Sequence, residues 1–445
     1  MRGEQFYRGL MRIMNDVFAG YEFLASVSDR KRELTRFANS EIHQNVSVEE
    51  SGLSVMIMKN NKLLVLKSND FSQGALKSLR ERADEMIEHV PELPYKFKMP
   101  PLRMAFPFEK ADLSMRNVPP SKRAEIFDLI KSKADEKKLK AFGYVANNFE
   151  EDVVMSTSGL FLYATYSAVD YNIVMMNDSG GSSYTSGFAK SFEDIDIEEK
   201  AKEVSRLASM NIPRAEIEPG EYTVILGPEA VATMFFYFSY SALNGMAYEV
   251  GTSSAVKYLG KKIGPEFLNF YDDPKEDRLM GIEFDAVGGE RKKLPIIENG
   301  EFKNVLYAYG TALRFGKKPT GNTVDLENLD LAFPLNPVVY GGDISKEELF
   351  KDIDKGVYIH RFHYVNIVDP SELVLTGMTR DGLFLIENGE ISTALRNMRF
   401  NISFYDMLSK LRGMSKEQEV INSSVPIVVP YALFEGFRFS SKTDH

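Results

Sequence analysis

The sequence contains no cysteine, so disulfides, thiolate zinc sites, iron–sulfur clusters and cysteine nucleophiles are excluded for this chain. Histidine is scarce: His43, His89, His360, His363 and His445 are the full set. Positive charge falls short of negative charge, with 54 Lys and Arg against 64 Asp and Glu, and the net charge of −10 argues against nucleic acid as the main partner. A His-Glu-x-x-His zinc helix, a Gly-x-Ser-x-Gly elbow and a lysine-bearing phosphate loop are also missing. What is present is a chain of 445 residues, 44% hydrophobic and 27% charged. That composition belongs to a folded chain, and the length sets a prior of about two to three domains.

Arg2, Glu4, Arg8 and Arg12 stand in an amphipathic pattern without the apolar stretch of a secretory signal, so the cytoplasm is the expected location. Ala230 to Tyr248 is nineteen residues without a charge, close to the roughly 20 that span a bilayer. Thr233, Ser239, Ser241, Asn244 and Gly245 interrupt it, and Pro228-Glu229 reads as a helix start. A buried core helix is expected there, and no membrane span.

Periodicity organises the rest. Phe6, Leu10, Ile13, Met14 and Val17 predict an opening helix that Gly20 closes. Alternating and apolar runs between Tyr21 and Leu66 predict a meander of strands, and Phe71 to Ile87 returns to the helical period. Seven prolines between 91 and 120 predict a loop or strap. A helix over Ser121–Lys138, strands over Val153–Met176, a Gly/Ser-rich loop over Ser179–Gly187 and a helix from Ile197 follow. Pro213, Pro219 and Gly220 break the pattern, which divides the chain into domains at 1–210 and 211–445. The second half is strand-rich. Ile297-Glu298-Asn299-Gly300-Glu301 and Ile386-Glu387-Asn388-Gly389-Glu390 each predict a tight hairpin. A short helix at Phe404–Leu411, a last strand at Val425–Val429 and a mobile tail from Ser440 complete the reading, with His445 in that tail.

Chemistry is harder to find. His360 and His363 flank Arg361 in a run, Val357 to Ile367, that favours a strand, which puts them on opposite faces. A metal there would need carboxylates that the sequence does not place nearby, so packing or hydrogen bonding is the expected role. His89 sits among charged helix residues and is expected to be solvated. Paired acids such as Asp272-Asp273 read as solvated surface.

Several stretches, however, resemble the TldD/PmbA (TldD/TldE) family of metalloprotease subunits. They are Thr35 to Asn45 (TRFANSEIHQN), Ser156 to Leu160 (STSGL), Leu259-Gly260-Lys261-Lys262, Ile296 to Gly300 with Pro319-Thr320-Gly321-Asn322, and Leu375 to Gly382 (LTGMTRDG) running into Ile386 to Gly389. They lie in the family's order along nearly the whole chain. The resemblance implies an α+β protein: an amino-terminal α/β domain followed by a larger, mostly antiparallel β-sheet domain with a buried helix. It also implies proteolysis. Catalytic TldD-type members carry His-Glu-x-x-x-His on the helix that opens the carboxy-terminal domain, with a later cysteine completing the zinc site. The corresponding region here, Tyr237 to Ala247, holds no imidazole or carboxylate. Zinc ligation needs neutral imidazoles, and water activation needs a base. The chain therefore resembles the TldE/PmbA type, which lacks the zinc motif.

Three functions follow as expectations. The first is a non-catalytic subunit of a metallopeptidase complex acting on unfolded or modified peptides. It would hold no cofactor itself, with zinc on a TldD-like HExxxH-bearing partner. Its substrate-binding residues would be Arg36, Asn39, Thr376, Thr379 and Arg380. The second is a self-sufficient hydrolase whose site is built from Arg361, His363 and Asp381, with His360 and Arg380 alongside; the competing view of those residues is a sheet-edge network that fixes the hairpin. The third is a homo-oligomeric peptide-binding protein, in which the chain partners itself as a dimer.

Overall fold

The computed structural model describes residues 1–101, 108–109 and 111–443, with the backbone alone at 108–109. In the first half, α1 (Glu4–Val17) leads into β1 (Glu22–Ala38), β2 (Glu41–Lys59) and β3 (Lys62–Ser68), followed by α2 (Gln73–Met86). The β1–β2 and β2–β3 turns place Asn39 and Ser40, then Asn60 and Asn61, at positive φ, the paired left-handed geometry of a two-residue hairpin. Asparagine tolerates that region because its short side chain hydrogen-bonds locally. The two-residue strand β4 (Phe108–Glu109), α3 (Pro120–Glu136), β5 (Lys140–Ser156), β6 (Phe161–Met176), β7 (Ser182–Ala189) and α4 (Ile197–Met210) complete this half. Among the described residues the sheet has seven strands in the order β3-β2-β1-β5-β6-β4, with β7 also paired to β6.

Residue parity assigns the faces of this sheet. Phe23, Ala25, Val27, Val153 and Met155 pack with α1 and α2, while Val145, Phe149, Val169, Tyr171 and Ile173 pack with α3 and α4. These are odd-numbered positions, so one face carries all four helices. The even positions Leu24, Val154, Leu162 and Ala164 join Phe284, Val287, Tyr309 and Leu326 of the second half in a shared apolar cluster.

The second half contributes twelve strands among the described residues: β8 (Arg214–Ala215), β9 (Gly220–Leu226), β10 (Phe270–Asp272), β11 (Leu294–Glu298), β12 (Glu301–Phe302), β13 (Pro337–Val339), β14 (Lys355–Asp369), β15 (Val374–Glu387), β16 (Glu390–Leu395), β17 (Met398–Ser403), β18 (Leu411–Ile421) and β19 (Ile427–Lys442). Most pairs are antiparallel; β9–β14, β8–β16 and β13–β19 are parallel. The pairings β9–β14, β14–β15, β15–β17, β17–β19 and β19–β9 close a ring, a barrel that has no edge at those strands. Phe362, Phe400 and Phe437 meet in its wall with ring centroids 4.6–6.0 Å apart.

Helix α5 (Pro228–Ala242) packs against β14 and β19, burying Phe235 and Phe238 among Phe270, Phe302 and Phe404. It ends at Leu243, and Asn244 caps a separate short helix, α6 (Gly245–Glu249). The uncharged stretch is thus two helices joined at a corner, and no helix among the described residues is long and apolar enough to cross a membrane.

The chain is an α+β protein of the expected kind, with corrections in detail. The two Asn-Gly hairpins form, with Asn299, Gly300, Asn388 and Gly389 all at positive φ. The Gly/Ser-rich stretch is largely the strand β7: Ser182 and Ser186 are buried against the second half and Ser183 on the helix-bearing face, which hides the apolar alternation a half-exposed strand would show. The strand expected from Val153 starts at Lys140, and the last strand continues through Lys442, where it pairs with Met398. Residues 440–442 are therefore sheet, not tail. Part of the proline-rich 91–120 segment, and His445, lie outside the described residues.

Candidate functional site

Helix α5 begins tightly. Pro228 sits in its first turn with its fixed φ, and a Cβ at the preceding Gly227 would lie 2.6 Å from the Tyr358 hydroxyl. Thr233, Phe236, Tyr237, Tyr240 and Ser241 recur at helical spacing and are its more exposed positions. Tyr237 donates its hydroxyl to the Val365 carbonyl of β14. Phe236 stacks on Tyr240 at 6.2 Å and meets Phe333 at 6.0 Å. Tyr240 is 65% exposed, and Tyr364, beside Val365 in an irregular stretch of β14, is 72% exposed. Past the helix, Asn244 reaches the Asp330 carbonyl at 3.3 Å. This face does not fit zinc: its aromatic rings and hydroxyls offer neither imidazole nor carboxylate. Nor is any group of three His, Cys, Asp or Glu side chains placed to hold a metal ion among the described residues.

A second polar centre lies where β7 meets β14 and β15. His360 is buried; its Nε2–H donates to the Tyr184 carbonyl, and its Nδ1 accepts from the Tyr358 hydroxyl at 3.0 Å. A carbonyl can only accept, so Nε2 is the nitrogen that carries the proton when the ring is neutral. Burial pushes the imidazole below its ordinary pKa. Arg361 donates from Nε to Asp381 at 2.7 Å and covers the Tyr184 ring at 4.0 Å, while Ser182 donates to the other Asp381 oxygen at 2.6 Å. Burial alone would raise the Asp381 carboxyl; the Arg361 guanidinium and the Ser182 hydroxyl outweigh it and hold it below the usual range.

His363 is elsewhere. It is half-buried against Tyr364, makes no hydrogen bond among the described residues, and is pushed down by desolvation and by Arg380 and Arg361. The sheet network therefore centres on His360, because the two faces of β14 meet different surroundings. Arg361 and Asp381 come together, and each is engaged by the other.

The remaining candidates are dispersed. Arg36 is exposed near the end of β1, and Asn39 is exposed in the β1–β2 turn. Thr376 donates to the Phe400 carbonyl at 3.1 Å, tying β15 to β17. Thr379 is fully buried, with its hydroxyl at 3.2 Å from Asn397 and accepting from the Met398 amide at 3.0 Å. Arg380 is exposed and 3.9 Å from Asp381. Arg36 and Asn39 belong to one sheet, Thr376, Thr379 and Arg380 to the other.

Glu229, Ser182 and Ser186 escaped the sequence reading. Glu229, in the first turn of α5, accepts from the Ser186 amide at 2.6 Å and hydroxyl at 2.9 Å across the contact between the two halves. Although part of the residue reaches solvent, desolvation of its carboxyl pushes the pKa up to about 7. An acid beside a first-turn proline reads as an ordinary helix start, and only the docking of β7 turns it into a joint.

A family model for the PmbA/TldA metallopeptidase C-terminal domain matches residues 219–441. A metalloprotease of Methanocaldococcus jannaschii is 24% identical over 83% of this chain and 84% of its own length. A zinc metalloprotease TldD homolog of Saccharolobus solfataricus is 29% identical over 50% of this chain and 52% of its own. Among solved structures, TldE from Thermococcus kodakarensis superposes with a TM-score of 0.90 at 20% identity, covering 98% of this chain and all of that one.

Proposed function

Because this chain belongs to the PmbA/TldD metallopeptidase family, we propose that it is a non-catalytic subunit of a peptidase assembly, working beside a chain that carries the HExxxH helix and the zinc. The observation that carries this reading is the outward face of α5. Where a catalytic relative needs imidazoles and a carboxylate, this helix presents Phe236, Tyr237, Tyr240 and Ser241. With Phe333 alongside and exposed Tyr364 on the strand that Tyr237 reaches, the face is aromatic in the manner of a protein contact. A TldD-like subunit is the proposed partner, and a second copy of this chain is the other body that could cover such a face. The divisions 1–210 and 211–445 are taken as its two domains, and the cytoplasm as its compartment.

Peptide holding is assigned to the first sheet. Residues 41–52 of β2 pair with β1 on one side and with no strand on the other among the described residues. An extended peptide can add to such an edge through main-chain hydrogen bonds, which need no particular side chains. Arg36 and Asn39 lie at its start and would help to orient the peptide, while Thr376 and Thr379 keep the barrel wall in shape.

The test is reconstitution. Alone, the chain should leave an unfolded peptide intact; mixed with an HExxxH-bearing paralogue from the same cell, it should produce cleavage that a chelator stops. Tyr240→Glu should weaken the mixed activity and the complex seen by light scattering together, because it buries a charge in the proposed contact. Cleavage by the paralogue at the same rate without this chain would end the subunit reading.

A further inference from the structure

Away from the aromatic face of α5, the segments around Leu259, Lys292–Lys293, Lys303–Val305 and Lys317–Gly321 enclose a cavity of about 860 Å3. That is within the range of small-ligand sites, roughly 300 to 1,000 Å3. Its floor is apolar, with Leu259, Leu294, Val305 and Leu313. Lys292, Lys293, Lys303, Lys317 and Lys318 stand around it, against Glu290 as the acid among the described lining residues. Four of the lysines have ion pairs: Lys292 with Glu290 at 3.2 Å, Lys293 with Asp273 at 3.1 Å, Lys303 with Glu301 at 2.7 Å and Lys317 with Glu249 at 3.2 Å. Lys292 and Lys303 pair with partly exposed acids, so those pairs are weak and an incoming anion can share them, whereas Lys293 and Lys317 are held by the more buried Asp273 and Glu249. Lys318 makes no ion pair among the described residues.

The wall is set in advance. Asp272, which the sequence reads as solvated surface, is buried: it accepts from the Asn322 side chain at 2.6 Å and the Asn336 amide at 2.6 Å, and pairs with buried Arg291. Arg291 and Asn322 directly follow Glu290 and Gly321 of the lining, so the cluster pins both segments from behind. Gly321 is at positive φ, and an added Cβ there would overlap the Glu290 carbonyl. A preformed wall lowers the ordering cost of binding.

We propose that this cavity takes the carboxy-terminal end of a peptide, seating an apolar last side chain on the floor and its free carboxylate among the lysines. The apolar floor and cationic rim together call for a ligand with both characters. Asn304, Thr320 and the backbone of Gly288–Gly289 also line the cavity. Asn304 Nδ2 is held by the Pro295 carbonyl at 2.8 Å, Thr320 by the Tyr307 backbone and the Gly289 amide by Asp285 at 2.7 Å, which leaves Asn304 Oδ1 to accept from a bound main-chain amide. The proposal rests on the peptide-holding reading for the kind of ligand, but not on the presence of a catalytic partner.

Fluorescence anisotropy with an amino-terminally labelled peptide ending in Leu-Phe tests it, comparing the free acid with the carboxy-terminal amide on the full chain. The acid should bind at least about tenfold more tightly than the amide, a difference of about 1.4 kcal/mol. Lys303→Gln/Lys318→Gln should bring the affinity of the acid down to that of the amide, with circular dichroism showing the folded spectrum of the wild type. Equal affinity for acid and amide, a preference that survives the double variant, absence of binding at about 1 mM peptide, or displacement by decanoate as readily as by the unlabelled acid peptide would each overturn it. If acid and amide bind equally, and binding is lost when Val48→Pro interrupts β2, the edge-strand reading stands and only this proposal falls.

Discussion

His360 and His363 are three residues apart on one strand, yet their chemistry has nothing in common. The first is buried and joined to Tyr184 and Tyr358; the second is half-buried beside an exposed tyrosine without a hydrogen bond among the described residues. His360→Ala should cost about 1–3 kcal/mol in urea unfolding, because it strands a buried carbonyl and a buried hydroxyl. His363→Ala should stay within about 0.5 kcal/mol, as surface changes do. A large loss at His363 with none at His360 would reverse this assignment. Asp381 also belongs to this scale: it sits at φ +54° and is tied by Arg361 and Ser182. Its carboxylate is occupied in joining β7 to β15, which makes it a poor general base.

At the level of elements, the two Asn-Gly hairpins have the same turn chemistry and different surroundings. The backbone of Gly264 donates to the Gly300 carbonyl, and a Cβ on Gly300 would run into the carbonyl oxygens of Gly264 and Pro265. At Gly389 the nearest atom to such a Cβ is the Lys351 Cα at 2.8 Å. Both glycines are at positive φ, so alanine at either costs about 1–2 kcal/mol from the backbone alone. Gly300→Ala should lower the melting temperature further than Gly389→Ala, since two docked carbonyls must also move. A thermal scan of the two variants checks the order. Ring closure leaves β9, β14, β15, β17 and β19 without a free edge, whereas β2 keeps one open along 41–52 among the described residues.

Across the whole molecule, the two halves are joined by the shared apolar cluster and by polar links. Glu229 meets Ser186, Lys200 meets Glu419 and Asn422 meets Tyr144 at 3.1 Å. Glu229 makes this joint pH-dependent. Its folded pKa of about 7 is above its ordinary value of 4.5, so between those limits the folded chain holds a proton that the unfolded chain has released. Stability from this group is therefore full below about pH 4.5 and is lost as pH rises towards 7. Glu229→Gln keeps an acceptor for the Ser186 amide and cannot ionise. Its melting temperature should fall less than that of the wild type between pH 5 and pH 7, a comparison in which the other titrating groups cancel. Parallel curves for the two proteins would contradict the assignment.

Much of this protein was determined locally. Apolar spacing specified α1, α2 and α4; a charge-free run behind Pro228 specified α5; Asn-Gly specified two hairpins; and the absence of cysteine excluded disulfides and thiolate metal sites. Those properties depend on side-chain type and near-neighbour geometry, which a linear chain already contains. Tertiary structure alone decided the rest. Ser182 to Ser186 became a strand because Ser182 and Ser186 found partners in the second half while Ser183 is buried on the helix-bearing face, and Glu229 became a joint because Ser186 arrived opposite it. The lysines around the cavity come from three separate stretches of chain. Their grouping, like the choice of His360 over His363 for the network, follows from long-range packing, which brings together residues whose spacing along the chain carries no trace of their meeting.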